Sequence, residues 1–434
     1  MAEFNNNELV VGTAPVSETS FEWLHESILR KTGQTPSEIR LEDFSGMGGL
    51  SGAAMRRLVV TFSDGTERTF VYKTILSAGQ SRSKDLGLPR EAFFYEHLAP
   101  TLAMRGVPMP SVIFVHGNMN TGEKTIILED LSSSCVQSGY FFGPGSPLNW
   151  GKDLNALIAA NRPAGNIQQQ NISMEKIAQA AFRRAASLHA THWMDRGLLQ
   201  HKWLRSQGWL QGTNEDSWQA SQKTVLEFWA KAMEKRQAGT STVQWDAHLL
   251  QCMEASFAKI SWTDYQQTVQ SAEYQWTLVH GDFHPANIMW RWVQEQQEGG
   301  SNTTEAVEAG GSPVILDFEV VGLGSGAQDL AQYLISHMEP QQRRACEEAL
   351  LADYYAHLTD TAGVEGAPAV PPTQYSYAQC QQDYVQGGVG RWVWMLGLLA
   401  GMCPDNMTQY FHDQLRHFIA DHGVTPASMP MPRV

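Results

Sequence analysis

The stretch Val279-His-Gly-Asp-Phe-His-Pro-Ala-Asn-Ile288 decides how the rest of the chain is read. It sets Asp282 and Asn287 on a loop between two apolar strand ends, and a further Asp follows in Ile315-Leu-Asp-Phe-Glu319. Phosphoryl transfer needs such groups. One carboxylate orients and deprotonates an attacking hydroxyl, while an amide oxygen and a second carboxylate hold Mg²⁺ against nucleotide phosphates. On that chemistry Asp282 faces the acceptor hydroxyl, and Asn287 and Asp317 ligate the metal, a hard ion that prefers oxygen donors. A lone Asp near a turn is ordinarily a cap or an Asx turn, but the ordered set is much harder to explain that way.

N-terminal to this stretch the pattern alternates between sheet and helix. Trp23, Leu24, Ile28 and Leu29 stand at helical spacing within Phe21 to Lys31, with Gly33 just beyond. A glycine-rich segment, Ser45 to Gly52, leads into a hairpin in which Leu58, Val60 and Phe62 alternate, Ser63 to Thr66 turn, and Thr69 to Ile75 return. Arg90 to Leu98 predicts a helix, and Ser111 to Val115 and Thr125 to Leu128 predict two further strands. After Leu131 the patterns become long and helical: Ser173 can cap a helix carrying Ile177, Ala181, Leu188 and Trp193, and Pro340 opens another. Three short strand-like runs, Thr277–Val279, Ile288–Val293 and Val314–Leu316, interrupt them. Asn161 to Asn171 and Gln294 to Ser312 have the composition of surface insertions, the second between two strands.

The motif His280-Gly-Asp-x-His-x-x-Asn287 with Leu316-Asp-Phe-Glu319 resembles the small-molecule kinases related to aminoglycoside phosphotransferases and choline kinase. It is closest to their ecdysteroid kinase-like and related bacterial branches. The resemblance implies an α+β, two-lobed protein-kinase-like fold, with a small antiparallel-sheet lobe over residues 1–131 and a larger, mostly helical lobe over 132–434; the 294–312 insertion, read from composition, is a departure from the family's pattern. It implies ATP and Mg²⁺ as cofactors and a hydroxyl of a small metabolite or drug as the acceptor, of aminoglycoside-, choline- or steroid-like type. Lys73, in Val71-Tyr-Lys-Thr74, matches the strand lysine that binds nucleotide phosphates, and Glu91 its ion-pair partner, with Glu96 as the rival. Glu129 and Leu131, in Ile127-Leu-Glu-Asp-Leu131, match the interlobe hinge that meets adenine through backbone groups. Gly48, Gly49 and Ser51 would let backbone N–H groups approach phosphate, although the segment matches neither GxGxxG nor GxxxxGK[ST] and reads nearly as well as a plain loop.

Other features have plainer readings. His189 and His192 lack a third ligand at a recognisable spacing and read as structural, His280 and His284 as braces of the loop, and Asp329 as a holder of loop backbone or a cap of its own helix. Trp203, Trp209, Trp392 and Trp394 are candidates for core or for an acceptor pocket alike. Two rival functions are a pseudokinase, against which the retained Lys73, Asp282, Asn287 and Asp317 speak, and a protein kinase, for which HRD, DFG and APE segments are missing.

Composition bounds these readings. The 434 residues are 42% hydrophobic and 18% charged, ample for a core, and the net charge of −14 argues against a nucleic-acid partner, which needs clustered cations. Five scattered cysteines without a CxxC pair predict reduced thiols and a cytoplasmic setting. The longest apolar run, Val393 to Cys403, is far short of the roughly 20 residues a membrane span needs, so it predicts a buried helix and no membrane partner.

Overall fold

Leu58, Val60 and Phe62 alternate along one strand, the turn chemistry of Ser63–Thr66 reverses the chain, and Phe70 and Tyr72 return beside them. The computed structural model forms its hairpin there, and it describes residues 9–13, 21–43, 52–162, 172–292, 310–360, 370–371 and 373–433. Among these residues eleven strands follow in chain order: β1 Val10–Val11, β2 Pro36–Asp43, β3 Ala54–Phe62, β4 Glu67–Thr74, β5 Val112–Asn118, β6 Glu123–Glu129, β7 Cys135–Gln137, β8 Thr277–Val279, β9 Ile288–Trp292, β10 Gly311–Ile315 and β11 Gly322–Gly324. The first six form one antiparallel sheet in the order β1-β5-β6-β4-β3-β2.

The sheet has two different faces because side chains alternate along a strand. One face buries Leu58, Val60, Phe62, Phe70, Tyr72 and Ile127 under Leu24 and Ile28 of the opening helix. The other meets the helix Arg90–His97, whose Phe93 and Phe94 join Val115, Ile126 and Leu128 in the main core. Lys73 pairs in register with Ile126, and Lys124 is two residues from Ile126 on the same strand, so both lysines lie on this second face of adjacent central strands.

Beyond β6 the chain is mostly helical, with long helices at Met174–Thr191, Glu215–Gln237, Gly326–His337, Pro340–Thr359, Tyr377–Met402 and Asp405–Asp421. Ser173 caps the first of these, its hydroxyl accepting from Lys176 N. The helix Gly326–His337 is buried on all sides. Tyr377–Met402 can lie against it because Gly388 has no side chain: a Cβ there would sit 2.4 Å from the Ala331 Cβ. Two small antiparallel pairs, β8 with β11 and β9 with β10, frame the loops that carry Asp282 and Asp317. The α+β, two-lobed, protein-kinase-like class expected from the motif order is the observed one.

Some expectations need correction. Gly311 and Ser312 belong to β10, so the expected insertion ends earlier; residues 294–309 lie outside the described residues, as do 163–171. The run from Val393 is helical, as its composition predicts: it is the last part of the 26-residue helix Tyr377–Met402, with Cys403 as its C-cap, and no described helix is long and apolar enough to cross a membrane. Strands β1 and β2 were not expected: β1 has two residues, and β2 reads Pro-Ser-Glu-Ile-Arg-Leu-Glu-Asp, a mostly polar edge. All five cysteines are free thiols.

Candidate active site

Lys73 has a strand to hold it and an acid on each side. Its Nζ lies 2.8 Å from Glu91 Oε2, 2.7 Å from Asp317 Oδ1 and 3.0 Å from Glu319 Oε1. Glu91, not the exposed Glu96, is therefore the partner from the helix Arg90–His97. A second lysine completes the cluster: Lys124 Nζ, fully buried, lies 2.9 Å from Glu91 Oε2 and also bonds Glu319. Glu91 and Glu319 are thus each shared by two ammonium groups, while among the described residues Asp317 pairs only with Lys73. Burial alone would raise the Glu319 carboxyl, but Lys73 and Lys124 overcome it and bring it down to about 2. Asp317 is raised, first by burial and then by the neighbouring acids Glu319 and Glu91 against the pull of Lys73. Arg90 joins the sheet side to the helical side by donating from Nε to Trp203 O at 2.7 Å and from Nη1 to Glu319 O at 2.9 Å.

Asp317 stands in the left-handed region at φ 63°, a conformation that costs a residue with a Cβ and is tolerated best by Asn and Asp. The following 3₁₀ turn, Phe318–Val320, begins there, and Phe318 stacks on Phe94 at 3.8 Å, which ties the turn to the helix bearing Glu91. Local strain at this point is held by tertiary packing.

The Asp282 loop is braced from below by Asp329. Its carboxylate accepts from His280 N at 2.7 Å and from Gly281 N at 3.1 Å, and lies 3.4 Å from His189 Nε2. His189 in turn meets the Tyr354 hydroxyl at 2.9 Å through Nδ1. Asp329 anchors backbone, one of the two readings the sequence leaves open, and His189 is structural, as the sequence suggests. His280 is a brace too: Asp282 N donates to its Nδ1 at 3.2 Å, so the proton sits on Nε2, which donates to Leu316 O at 2.7 Å. One imidazole thereby links the Asp282 loop to the segment leading into Asp317.

The Asp282 carboxylate is held on both oxygens. Gln332 Nε2 donates to Oδ1 at 2.7 Å, Asn287 Nδ2 lies 3.2 Å from Oδ2, and His284 Nε2 is 3.4 Å from Oδ2. Asn287 Nδ2 also donates to Asp282 O at 3.0 Å, so the amide nitrogen is turned inward and its oxygen is left for another partner. Arg391 closes the arrangement, donating from Nη2 to Gly281 O at 2.9 Å and from Nε to Gln332 Oε1 at 3.2 Å. Burial pushes the Asp282 carboxyl up, but His284, Arg391 and His280 outweigh it and hold the group below the usual carboxylate range. His284 stacks on the buried His337 at 5.2 Å.

The donor set fits a hard divalent cation. Oxygens of Glu91, Asp317 and Glu319 lie within 4.8 Å of one another, and lysines already engage the first and last of these acids twice over. Asp317 is therefore the carboxylate best able to turn toward a metal, and the free Asn287 amide oxygen is a second hard donor. Among the described residues no cluster of histidine or cysteine ligands occurs. Gly48, Gly49 and Ser51 lie outside the described residues. At the hinge, the Glu129 N–H already donates to Ser111 O at 2.9 Å and the Leu131 C=O accepts from Ser134 and Cys135, so neither of these groups is idle. The Glu129 side chain holds Arg291 at 2.8 Å. Trp203 and Trp392 are core residues, while Trp209 lines a cavity.

Sequence reading missed Lys124, Gln332 and Arg391. Lys124 sits at the start of β6 beside turn residues, where a lysine reads as solvated. Gln332 was within reach, since it stands three residues after Asp329 on one helix face. Arg391, inside the apolar C-terminal half of the helix Tyr377–Met402, is that helix's one Lys or Arg and stands among apolar neighbours.

Fold and site together define a protein-kinase-like chain in which a strand lysine, paired with a helix glutamate, faces an Asp/Asn loop and a second Asp. Residues 160–364 match the ecdysteroid kinase-like family, a span that includes His280 to Asn287 and Asp317 to Glu319 but not Lys73 or Glu91. The resemblance read from those motifs is borne out there. A comparison with curated proteins finds no match. Similar solved structures include an ethanolamine kinase of Plasmodium vivax, at 11% identity and TM-score 0.42, covering 94% of this chain and 90% of that one. A choline kinase of Streptococcus pneumoniae is similar at 10% identity and TM-score 0.42, over 92% and 98% of the two chains. A microcompartment-associated aminopropanol kinase is similar at 10% identity and TM-score 0.43, over 89% and 94%.

Proposed function

We propose that this protein is an ATP- and Mg²⁺-dependent kinase that transfers a phosphoryl group to a hydroxyl of a small organic molecule. One observation carries the reading: Lys73, Glu91, Asp282, Asn287 and Asp317, far apart in sequence, are joined by direct contacts or by the His280 bridge into one site. The nucleotide-binding unit in this reading is residues 1–131, with Glu129 and Leu131 at the hinge, and the rest of the chain carries the catalytic loop and acceptor.

Each side chain has a task suited to its surroundings. Lys73 neutralises phosphate oxygens, and the pair Glu91 and Glu319 keeps its long stem extended across the sheet. Asn287 and Asp317 would hold Mg²⁺, which supplies charge neutralisation on the phosphates. Asp282 accepts a hydrogen bond from the acceptor hydroxyl and aligns its oxygen for in-line attack. Because His284 and Arg391 keep this carboxylate a weak base, it orients the hydroxyl first. It takes the proton only as bond formation to phosphorus makes the hydroxyl acidic, which suits a loose transition state. Gln332 and Arg391 are positioning residues that fix the carboxylate and the Gly281 peptide.

The test is Asp282→Asn, which keeps the shape of the side chain and removes its charge. With MgATP and a panel of hydroxylated metabolites, acceptor-dependent ADP formation by the wild type should fall about 10²–10⁴-fold in the variant, with ATP binding by calorimetry retained. Undiminished turnover in the variant, or a wild type that binds no MgATP, would reject the proposal.

A further inference from the structure

The Asp282 loop has a second neighbour that the kinase reading does not use. Arg205 lies against the Gly281 backbone, so close that a Cβ on Gly281 would be 2.6 Å from Arg205 Nη2. The arginine forms part of the wall of a cavity of about 190 Å³, together with Trp209, Tyr265, Tyr274, Gln328 and Arg433. None of Lys73, Asp282, Asn287 and Asp317 lines this cavity.

The wall is rich in donors and poor in acceptors. Arg205 Nε is buried without a hydrogen-bond partner, and the side chain makes no ion pair among the described residues. Burial, then Arg391 and Arg90, push its guanidinium down to about 9, which leaves it cationic at neutral pH. The acids nearest in effect are Asp329 and Asp282, and both are already engaged, the first by two loop N–H groups and the second by Gln332 and Asn287. Arg433 brings a second cation without an ion pair among the described residues; the acid that feels it, Asp383, is bonded by Tyr375 and Gln379. The Tyr265 and Tyr274 hydroxyls and the Gln328 amide form no side-chain hydrogen bond among the described residues either. Burial raises both phenols, so they remain neutral donors.

Arg205 is half-buried as a residue, but its Nε is shut off from solvent, and a guanidinium so placed without a counter-ion is costly; folded proteins pair such charges. The missing partner must be an anion with several acceptor oxygens, which matches the planar fork of arginine. Size adds a second condition. A dry cavity of about 150 Å³ holds benzene, so this one has room for a single ring against Trp209 and Trp218. We propose that the cavity is a binding site for a small oxyanion, a phosphate or carboxylate group, carried on an apolar body of about one ring.

The proposal stands apart from the kinase reading, and its test needs no turnover. Inorganic phosphate and benzoate are titrated by calorimetry into the full chain, into Arg433→Ala and into Arg205→Gln. Saturable binding of at least one probe by the wild type, weakened tenfold or more in both variants, is expected. Phosphate alone would assign a phosphorylated ligand and benzoate alone an aromatic acid, and either supports the site. If Arg205→Gln fails to fold by circular dichroism, Arg433→Ala at the C-terminal end of the chain decides alone. Absence of saturable binding of both probes at millimolar concentration overturns the proposal, and so does binding that Arg433→Ala leaves unchanged.

Discussion

Replacing Lys124 by Met tests the buried ion cluster more sharply than any change at Lys73, because Lys124 has no direct place in the proposed reaction. Met keeps much of the apolar stem and removes the ammonium that bonds Glu91 at 2.9 Å and Glu319. The cluster then passes from three carboxylates with two ammoniums to three with one, so its formal charge goes from −1 to −2 in the core. Removing one partner of a buried pair costs about 3–5 kcal/mol, since the orphaned charge stays buried. Glu319 can recover part of this by taking up a proton, because one of the two lysines that hold it at about 2 is gone. The urea midpoint of Lys124→Met should therefore fall by the equivalent of about 3 kcal/mol at pH 7 with an unchanged slope, and by less near pH 5. Adding Glu319→Gln removes the stranded charge, and the double variant should regain about 1–3 kcal/mol relative to additive losses. A single variant that loses under about 1 kcal/mol, with a double variant that is simply additive, would show that these ions are better solvated than their burial implies.

Three further expectations follow from the same contacts. Asp317→Asn should abolish Mg²⁺-dependent tightening of nucleotide binding, and a calorimetric affinity that still rises with Mg²⁺ would remove Asp317 from the metal site. Asp329→Ala strands the buried N–H groups of His280 and Gly281 and should cost about 2–5 kcal/mol in denaturation, more than a surface aspartate substitution, whose usual range is within about 0.5 kcal/mol. Because Glu319 is lowered from 4.5 to about 2 on folding, its contribution is complete above pH 4.5 and declines as pH falls toward 2. The stability difference between wild type and Glu319→Gln should shrink over that window, and a difference independent of pH would contradict the assignment.

Local chemistry made much of this protein readable. The hairpin β3–β4 announced itself by alternation and a Ser-Asp-Gly-Thr turn, and the helix Met174–Thr191 by its serine cap and apolar stripe. The strand β2 escaped notice because an edge strand can be mostly polar and still pair. For Asp329 the sequence left a loop anchor and a helix cap open, and the fold decides for the anchor, which grips two successive N–H groups.

What the sequence determined by itself was the order of the parts: a lysine strand, a glutamate helix, an Asp/Asn loop and a later Asp, together with the α+β class. These depend on residue type and short spacing, which the chain carries openly. Tertiary structure alone decided that Glu91 rather than Glu96 meets Lys73, that Lys124 and Glu319 join them, and that Arg391 and Gln332 close around Asp282. The physical reason is that Coulomb attraction and desolvation act through space, so a charge's role is set by what is buried beside it, often hundreds of residues away in the chain.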